Sequence, residues 1–416
     1  MKTIVFASVL KSVKDVRMYQ KLALSLAGNA DIHCIGAAIN DTNVSQNLSQ
    51  ELLQDGNFDN FISFYPIANF HRLAFQRLLY GFKFLELLYK IKPNILVINT
   101  FELLIFAIFY KYFPAKKNKN NHIKGNIVLI YDVMENYFQN IAYQNTYSKF
   151  IRFPLAFAVR MFENLCSIFI DYFILAEKCY ENELEFIGSR YIVLENKLVV
   201  FDPTPCPCPF GRGFSDIEDV KNSPPRRAGA GGGVTFIHSG TISQTYGTLE
   251  AILFVENFAK FSTNLGIKLI LIGFCSDKKY YEILQEACKN LNFIDWQISN
   301  DKPIAHNKIM ETIATADFAL LPYHINKSNK NRIPTKFYEY IYHKVPMIIS
   351  KNQLWEKFCG QYDAAISCNY TTENFGDENN MATLFNTHFY GKDFDKNEIL
   401  WTETDRQKCR EWILGV

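Results

Sequence analysis

Short β-branched runs of strand length alternate with longer amphipathic stretches along almost the whole of this 416-residue chain. In the first half the runs fall at 3–9, 32–39, 61–65, 94–98, 127–131, 171–176 and 191–194. Helix-period stretches lie between them at 15–27, 70–91, 101–112, 149–168 and 177–187. A strand followed by a helix cannot close a tight hairpin, so the chain must cross over and successive strands come to lie parallel, with helices on both faces. The alternation stops at 202–233, where Pro203, Pro205, Pro207, Pro209, Pro224 and Pro225 precede a glycine cluster at Gly229–Gly233. Such composition buries too little apolar surface to offset its ordering entropy, so it reads as a linker. Strands resume at 234–238, 267–272, 317–321, 346–350 and 364–367, with helices near 247–261, 277–290, 306–315, 334–343 and 352–359. The expectation is an α/β chain of two Rossmann-like doubly wound domains, 1–200 and 234–416, facing across a cleft and joined by a 201–233 linker. The last helix is expected to pack back on the first domain. Open sheets of this kind bind ligands outside the carboxyl ends of their strands.

Composition narrows the function. Hydrophobic residues make up 48% of the chain, enough for two cores, and 44 Lys+Arg against 42 Asp+Glu leave +2, so no nucleic-acid partner is expected. Met1-Lys2 runs directly into a strand-length apolar stretch without a cleavage signal. The best candidate for a membrane span, Leu103–Tyr110 between Glu102 and Lys111, is far too short to cross. A cytoplasmic protein is expected, at most peripheral on a membrane. Ten cysteines include a lone Cys206-Pro-Cys208 with no second pair at zinc-finger spacing, so reduced thiols are expected and no metal site. Near-neutral charge hides one uneven segment. Residues 70–125 hold ten Lys/Arg against Glu86 and Glu102, interleaved with rings such as Phe75, Tyr80, Phe82 and Phe84. That segment reads either as the solvated face of a buried helix or as a surface for anionic lipid.

Several groups are candidates for chemistry. In Arg332-Ile-Pro-Thr-Lys-Phe-Tyr-Glu339, Pro334 suits a helix start, and Lys336 and Glu339 then share one helical face a turn apart. A helix N-terminus with a lysine in its first turn favours phosphate, and a carboxylate one turn deeper can accept two hydrogen bonds from a ribose diol. The other reading is an ordinary surface ion pair. Phe236-Ile-His-Ser-Gly240-Thr241 is a strand running into a glycine-containing loop, where backbone N–H groups can approach an anion. Gly273, at the end of the next strand, repeats the arrangement and is placed near a base or ribose. No GxGxxG follows the first strand and no Walker sequence is present, which disfavours dinucleotide and P-loop readings. Asp132 and Glu135 follow another strand and read either as acceptor-orienting or acid/base groups, or as a pair serving a helix dipole. Asp15 and Arg17 read either as a helix start or as part of an acceptor pocket.

Taken in order, four stretches resemble the GT-B glycosyltransferases of the retaining group 1, or family 4. They are Asp15-Val-Arg17 with Lys21, Tyr131-Asp-Val-Met-Glu135, His238-Ser-Gly-Thr-Ile242 with Gly247, and Pro334-Thr-Lys-Phe-Tyr-Glu-Tyr340 with Val345-Pro346. The resemblance implies a nucleotide-sugar-dependent sugar transferase in cell-surface polysaccharide or glycoconjugate synthesis, acting on a saccharide or lipid-linked acceptor. It implies that Glu339 binds the ribose, that Lys336 with Arg332 neutralises the departing diphosphate, and that Gly240 and Thr241 approach the phosphates. It also implies no metal or other cofactor. The chain departs from the family pattern at Asn331, where a glutamate is expected, and at Met134, where a histidine is. Ser243–Gly247 also lacks the usual Arg and Lys. The alternatives are a nucleotide-sugar epimerase on the same scaffold and a catalytically silent nucleotide-binding subunit.

Overall fold

In the computed structural model of the chain, the described residues are 1–37, 62–67, 77–113, 127–144, 147–200, 233–261, 265–370, 384, 386–391 and 393–416. All of the expected linker except Gly233 lies outside them, as do parts of the basic aromatic stretch 70–125. The chain divides into two compact units. Unit 1 comprises Met1–Thr204 with Leu400–Val416, and unit 2 comprises Pro205–Ile399.

Unit 1 is built on strands β1 (Lys2–Ser12), β2 (Ala30–Ala37), β3 (Ile62–Pro66), β4 (Ile95–Ile98), β5 (Val128–Val133), β6 (Tyr172–Leu175) and β7 (Tyr191–Val193). They form one sheet in the order β3-β2-β1-β4-β5-β6-β7, and each adjacent pair is parallel. The central strands are apolar on both faces because helices cover both, and Ile95, Leu96, Val97 and Ile98 are all buried. The helices are α1 (Val16–Ala23, wound as a π-helix), α2 (Arg77–Ile91), α3 (Leu104–Tyr112), α4 (Tyr137–Tyr143) and α5 (Lys149–Ser167). The stretch expected as one helix over 177–187 is instead a single turn at Tyr180–Glu183 followed by a 3₁₀ turn at Glu185–Ile187.

Unit 2 carries β8 (Val234–Thr241), β9 (Ile267–Phe274), β10 (Ile294–Ser299), β11 (Phe318–Leu321), β12 (Met347–Ser350) and β13 (Ala365–Cys368). Their order is β10-β9-β8-β11-β12-β13, again parallel throughout. Counted within the unit this is 3-2-1-4-5-6, the doubly wound order. Its helices are α6 (Thr248–Phe261), α7 (Lys278–Cys288), α8 (His306–Ile313), α9 (Thr335–Tyr342) and α10 (Gln353–Gly360). The sequence patterning passed over β10 and α4.

The final helix, α11 (Glu403–Gly415), belongs to unit 1. Trp401 N–H donates to the Leu198 carbonyl (2.7 Å), Arg410 Nε donates to the Ser25 carbonyl (2.9 Å), and Lys2 Nζ donates to the carbonyls of Leu414 and Val416. Cys409 and Ile413 complete the core beneath β1 and α1.

One expectation changes here. Tyr80 and Phe84 are core residues, and the Tyr80 hydroxyl donates to the Ser8 carbonyl at 2.9 Å, so these two rings are not a lipid-facing surface. The same core holds a buried carboxyl on α5. Glu163 Oε1 accepts from the Tyr131 hydroxyl at 2.9 Å, and burial raises the Glu163 pKa from 4.5 to about 7, outweighing the nearby Arg160 charge. The folded protein therefore holds a proton that the unfolded chain gives up between these values. Stability from this group is full below 4.5 and is lost as pH rises through about 7. Glu163→Gln keeps the neutral shape, so urea midpoints measured across that range are expected to slope downward less in the variant than in wild type. An unchanged slope contradicts the assignment.

Candidate functional site

In unit 2 the strand order reverses between β8 and β11, and the carboxyl end of β8 is where the candidate residues gather. The strand ends in Gly240 and Thr241, with Gly240 at φ +106°, a conformation that glycine alone adopts without strain. Lys336, in the first turn of α9, lays its side chain over this glycine. A Cβ at position 240 would come within 2.5 Å of Lys336 Cε. Pro334 caps α9 without needing an N–H, and the Trp355 indole fixes the approach to the helix by donating to the Arg332 carbonyl at 2.7 Å. Arg332 is half-buried, four residues ahead of Lys336.

One helical turn further on, Glu339 is only 7% exposed and pairs with Lys336 Nζ through Oε2. Its Oε1 faces His306 Nε2, from the start of α8, at 3.4 Å. Burial pulls the Glu339 pKa upward, but the Lys336 charge and the His306 contact outweigh it, and the carboxyl is held below its ordinary value. An ionised carboxylate and an ammonium thus share one corner of the sheet edge. The carboxylate accepts from hydroxyls, and the ammonium meets anions.

The surrounding residues fix this corner. Gly273 pairs in register with Gly240, and a Cβ there would lie 1.9 Å from the Gly240 carbonyl oxygen. The neighbouring strand by itself therefore demands glycine at 273. Gly247, at φ +69°, meets the Pro322 carbonyl in the same way and draws the β8 loop against the end of β11. His238 is buried, and burial lowers its pKa to about 4, so the ring is neutral. Its Nδ1 lies 3.0 Å from the Leu320 carbonyl and its Nε2 3.1 Å from Thr248 Oγ1. A neutral ring satisfies both by donating from Nδ1 and accepting at Nε2, which bolts β8 to β11 and α6. Ser239 Oγ and the Tyr340 hydroxyl, 2.8 Å apart, tie β8 to α9. His306 was missed in the sequence because its partner is 33 residues away and no local spacing links them.

Gly240→Ala tests the geometry. The added methyl would strain a positive-φ residue by about 1–3 kcal/mol and displace Lys336 from the strand end. The expected result is a modest fall in melting temperature with a larger proportional loss of anion affinity. Equal affinity in the variant would show that Lys336 does not need to lie there.

The unit 1 candidates fall out differently. Asp15 Oδ1 accepts from the backbone N–H groups of Arg17 and Met18, so it is the N-cap of α1 and the helix-start reading holds. Arg17 and Asp132 are 2% and 0% exposed. Arg17 Nε and Nη2 both donate to the Asp132 carboxylate, Asn99 Nδ2 adds a 2.7 Å bond to Asp132 Oδ2, and Arg17 Nη1 donates to the Leu194 carbonyl. A side chain that touches an acceptor needs an accessible polar atom, so the expectation that Arg17 and Asp132 line an acceptor pocket is corrected. They tie α1, β5 and the segment after β7 together. Lys21 is buried beside them against Asn196, and burial, followed by the Arg17 charge, lowers its pKa to about 7. Glu135 remains half-buried and accepts from Asn140 Nδ2 at 2.8 Å. It is not part of the Arg17–Asp132 network.

No protein-family profile matches the sequence, and no curated protein matches it. Solved structures do match. Anabaena Alr3699/HepE in complex with UDP aligns over 100% of this chain and 95% of its own, at 13% identity and a TM-score of 0.54. Sucrose-phosphate synthase from Thermosynechococcus elongatus aligns over 100% of this chain and 94% of its own, at 11% identity and a TM-score of 0.60. UDP-GlcNAc 2-epimerase from Methanocaldococcus jannaschii aligns over 100% of both chains, at 12% identity and a TM-score of 0.54. At such identities the likeness establishes architecture, and the chain shares with these proteins the GT-B fold of two Rossmann-like units.

Proposed function

We propose that the protein is a retaining glycosyltransferase that takes its sugar from a nucleoside-diphosphate sugar bound in unit 2. The observation that carries this reading is the convergence of Lys336, Glu339 and the open backbone of Gly240 at the switch point of the unit 2 sheet. Glu339 accepts from the ribose hydroxyls. Lys336 and Arg332 take up the charge of the diphosphate, and the Gly240 and Thr241 backbone lies against its oxygens. That HepE is solved with UDP and with UDP-glucose supports a nucleotide sugar as the ligand class.

In the reaction the bond from the anomeric carbon to the phosphate oxygen breaks, and a bond to the acceptor oxygen forms on the same face. The acceptor proton passes to the leaving phosphate. Two side-chain cations stabilise the charge that develops there, so the proposal includes metal-independent turnover. The acceptor is a saccharide or lipid-linked saccharide, as in cell-surface polysaccharide synthesis. Glu135, which like Asp15 keeps accessible surface, is assigned to orienting its hydroxyl.

Nucleoside-diphosphate release, measured with a panel of donors and saccharide acceptors in the presence of EDTA, tests the reading. Acceptor-dependent release supports it. The structural likeness to a UDP-GlcNAc 2-epimerase favours the second reading, which predicts donor turnover with no acceptor present. Tight nucleotide binding with neither transfer nor hydrolysis would mark a silent subunit instead.

A further inference from the structure

Helix α5 in unit 1 shows solvent an apolar stripe at helical spacing. Phe150, Phe153, Phe157, Met161, Leu165 and Ile168 follow one another at intervals of three and four residues, and all are exposed, Phe150 at 92% and Ile168 at 72%. The opposite side of the helix is used conventionally, with Ala156, Val159 and Cys166 buried. The stripe continues sideways onto α3. The Tyr112 ring meets Phe169 edge-on at 5.5 Å, and Phe109 stacks on Phe113 at 5.1 Å. Ile105, Phe109, Tyr112 and Phe113 are exposed as well. At 1.5 Å per residue the stripe on α5 alone runs about 27 Å. Soluble monomers rarely expose a contiguous apolar patch of more than a few hundred Å² without a use for it.

The charges say what covers it. Helix α5 starts with an exposed Lys149 and a half-buried Arg152, while Arg160 is turned inward onto its acid, Glu163, with its guanidinium against the Phe138 and Phe186 rings. The charge that this helix presents outward is therefore positive. Exposed Lys83 and Phe82 on the neighbouring α2 extend the same composition, and Phe82 meets Phe106 of α3 at 5.5 Å. A helix with a ring-rich outer face and basic flanks suits the plane of a membrane interface, where rings enter the acyl boundary and cations meet headgroups. No helix among the described residues is long and apolar enough to cross a membrane.

We infer that unit 1 docks on the surface of an anionic lipid bilayer through the outer faces of α5 and α3, with Phe150, Phe157 and Leu165 entering the interface. This inference is independent of the proposed sugar transfer, since none of its residues is assigned to the donor or the acceptor.

The test is co-sedimentation of the full chain with vesicles of phosphatidylcholine alone and of phosphatidylcholine with phosphatidylglycerol. It uses wild type and a Phe150→Asp, Phe157→Asp, Leu165→Asp triple variant. Because all three side chains are exposed, the variant should keep the wild-type melting temperature, and circular dichroism verifies this. If the triple variant proves unfolded, the milder single change Phe150→Ser carries the test. Wild type is expected to pellet with the anionic vesicles at least tenfold more than with neutral ones. That excess should shrink at high salt, where the screening length falls to about 3 Å. The variant should lose binding to both. Equal pelleting of wild type and folded variant overturns the inference. So does a lipid-free dimer of wild type, seen by light scattering, that the substitutions dissociate, since a second copy would then be the occupant. Loss of vesicle binding with soluble-acceptor transfer intact separates this surface from the catalytic reading.

Discussion

Lys336→Ala is expected to lower the rate of sugar transfer by about 10²–10³-fold, the usual cost of deleting one group that meets charge developing in a transition state. Glu339→Ala is expected to act mainly on donor binding instead, raising the donor KM by about 10–100-fold, because it removes charge-assisted hydrogen bonds to the ribose. The two residues are a turn apart and paired, so their effects should not add. The double variant should resemble the worse single one. The loss must also be local. Lys336 is partly exposed and ends at the sheet edge, so the melting temperature should change little on its replacement. Full transfer activity in the double variant would remove both residues from the donor site. A loss of activity matched by an equal loss of stability would assign them to the fold instead.

The largest stability effect is expected far from that site. Asp132→Ala leaves the Arg17 guanidinium buried with its bidentate partner gone, and breaking a buried ion pair in this way costs about 3–5 kcal/mol. Arg17→Met should cost a similar amount, since the Asp132 carboxylate would keep only the Asn99 amide. A paired Arg17→Met, Asp132→Leu variant removes both charges and should recover a large part of the loss, because neither partner is then left uncompensated. Urea denaturation gives the free energies. A single-variant cost below about 1 kcal/mol, the range of exposed pairs, would contradict the buried-tie assignment. If stability held while the acceptor KM rose, Asp132 would return to the acceptor pocket.

What could be read from the sequence follows from distance along the chain. The strand–helix alternation is legible because buried parallel strands are short, continuous and β-branched, as Ile95–Ile98 and Met347–Ser350 are. Strand β10 escaped because Ile-Asp-Trp-Gln-Ile-Ser places polar residues on an edge strand that is only half-buried. Lys336 and Glu339 could be paired on paper because three residues separate them on one helix. Gly240 and Gly273 were visible as glycines at strand ends. That each is required by a particular neighbour, the Lys336 side chain and the Gly240 carbonyl, is a tertiary fact. Arg17 and Asp132 show the limit most clearly. Both carry residue types suited to a binding site and both follow strands or open helices, so pattern alone placed them beside an acceptor. They are 115 residues apart, and only the folded sheet reveals that each exists to neutralise the other. In the same way the aromatic excess drew attention to 70–125, whereas Phe150, the most exposed ring among the described residues, lies on α5, whose basic residues are too widely spaced to stand out as a cluster.

The central claim, that unit 2 binds a nucleoside diphosphate at Lys336 and Glu339, is tested most directly by thermal shift with a panel of nucleoside diphosphates on wild type and the double alanine variant. A specific ligand at 100 times its Kd stabilises by about 2.7 kcal/mol, which is readily seen as a rise in melting temperature. The account predicts a concentration-dependent rise with at least one nucleobase in wild type and none in the variant. No shift with any of them, or equal shifts in both proteins, would contradict it.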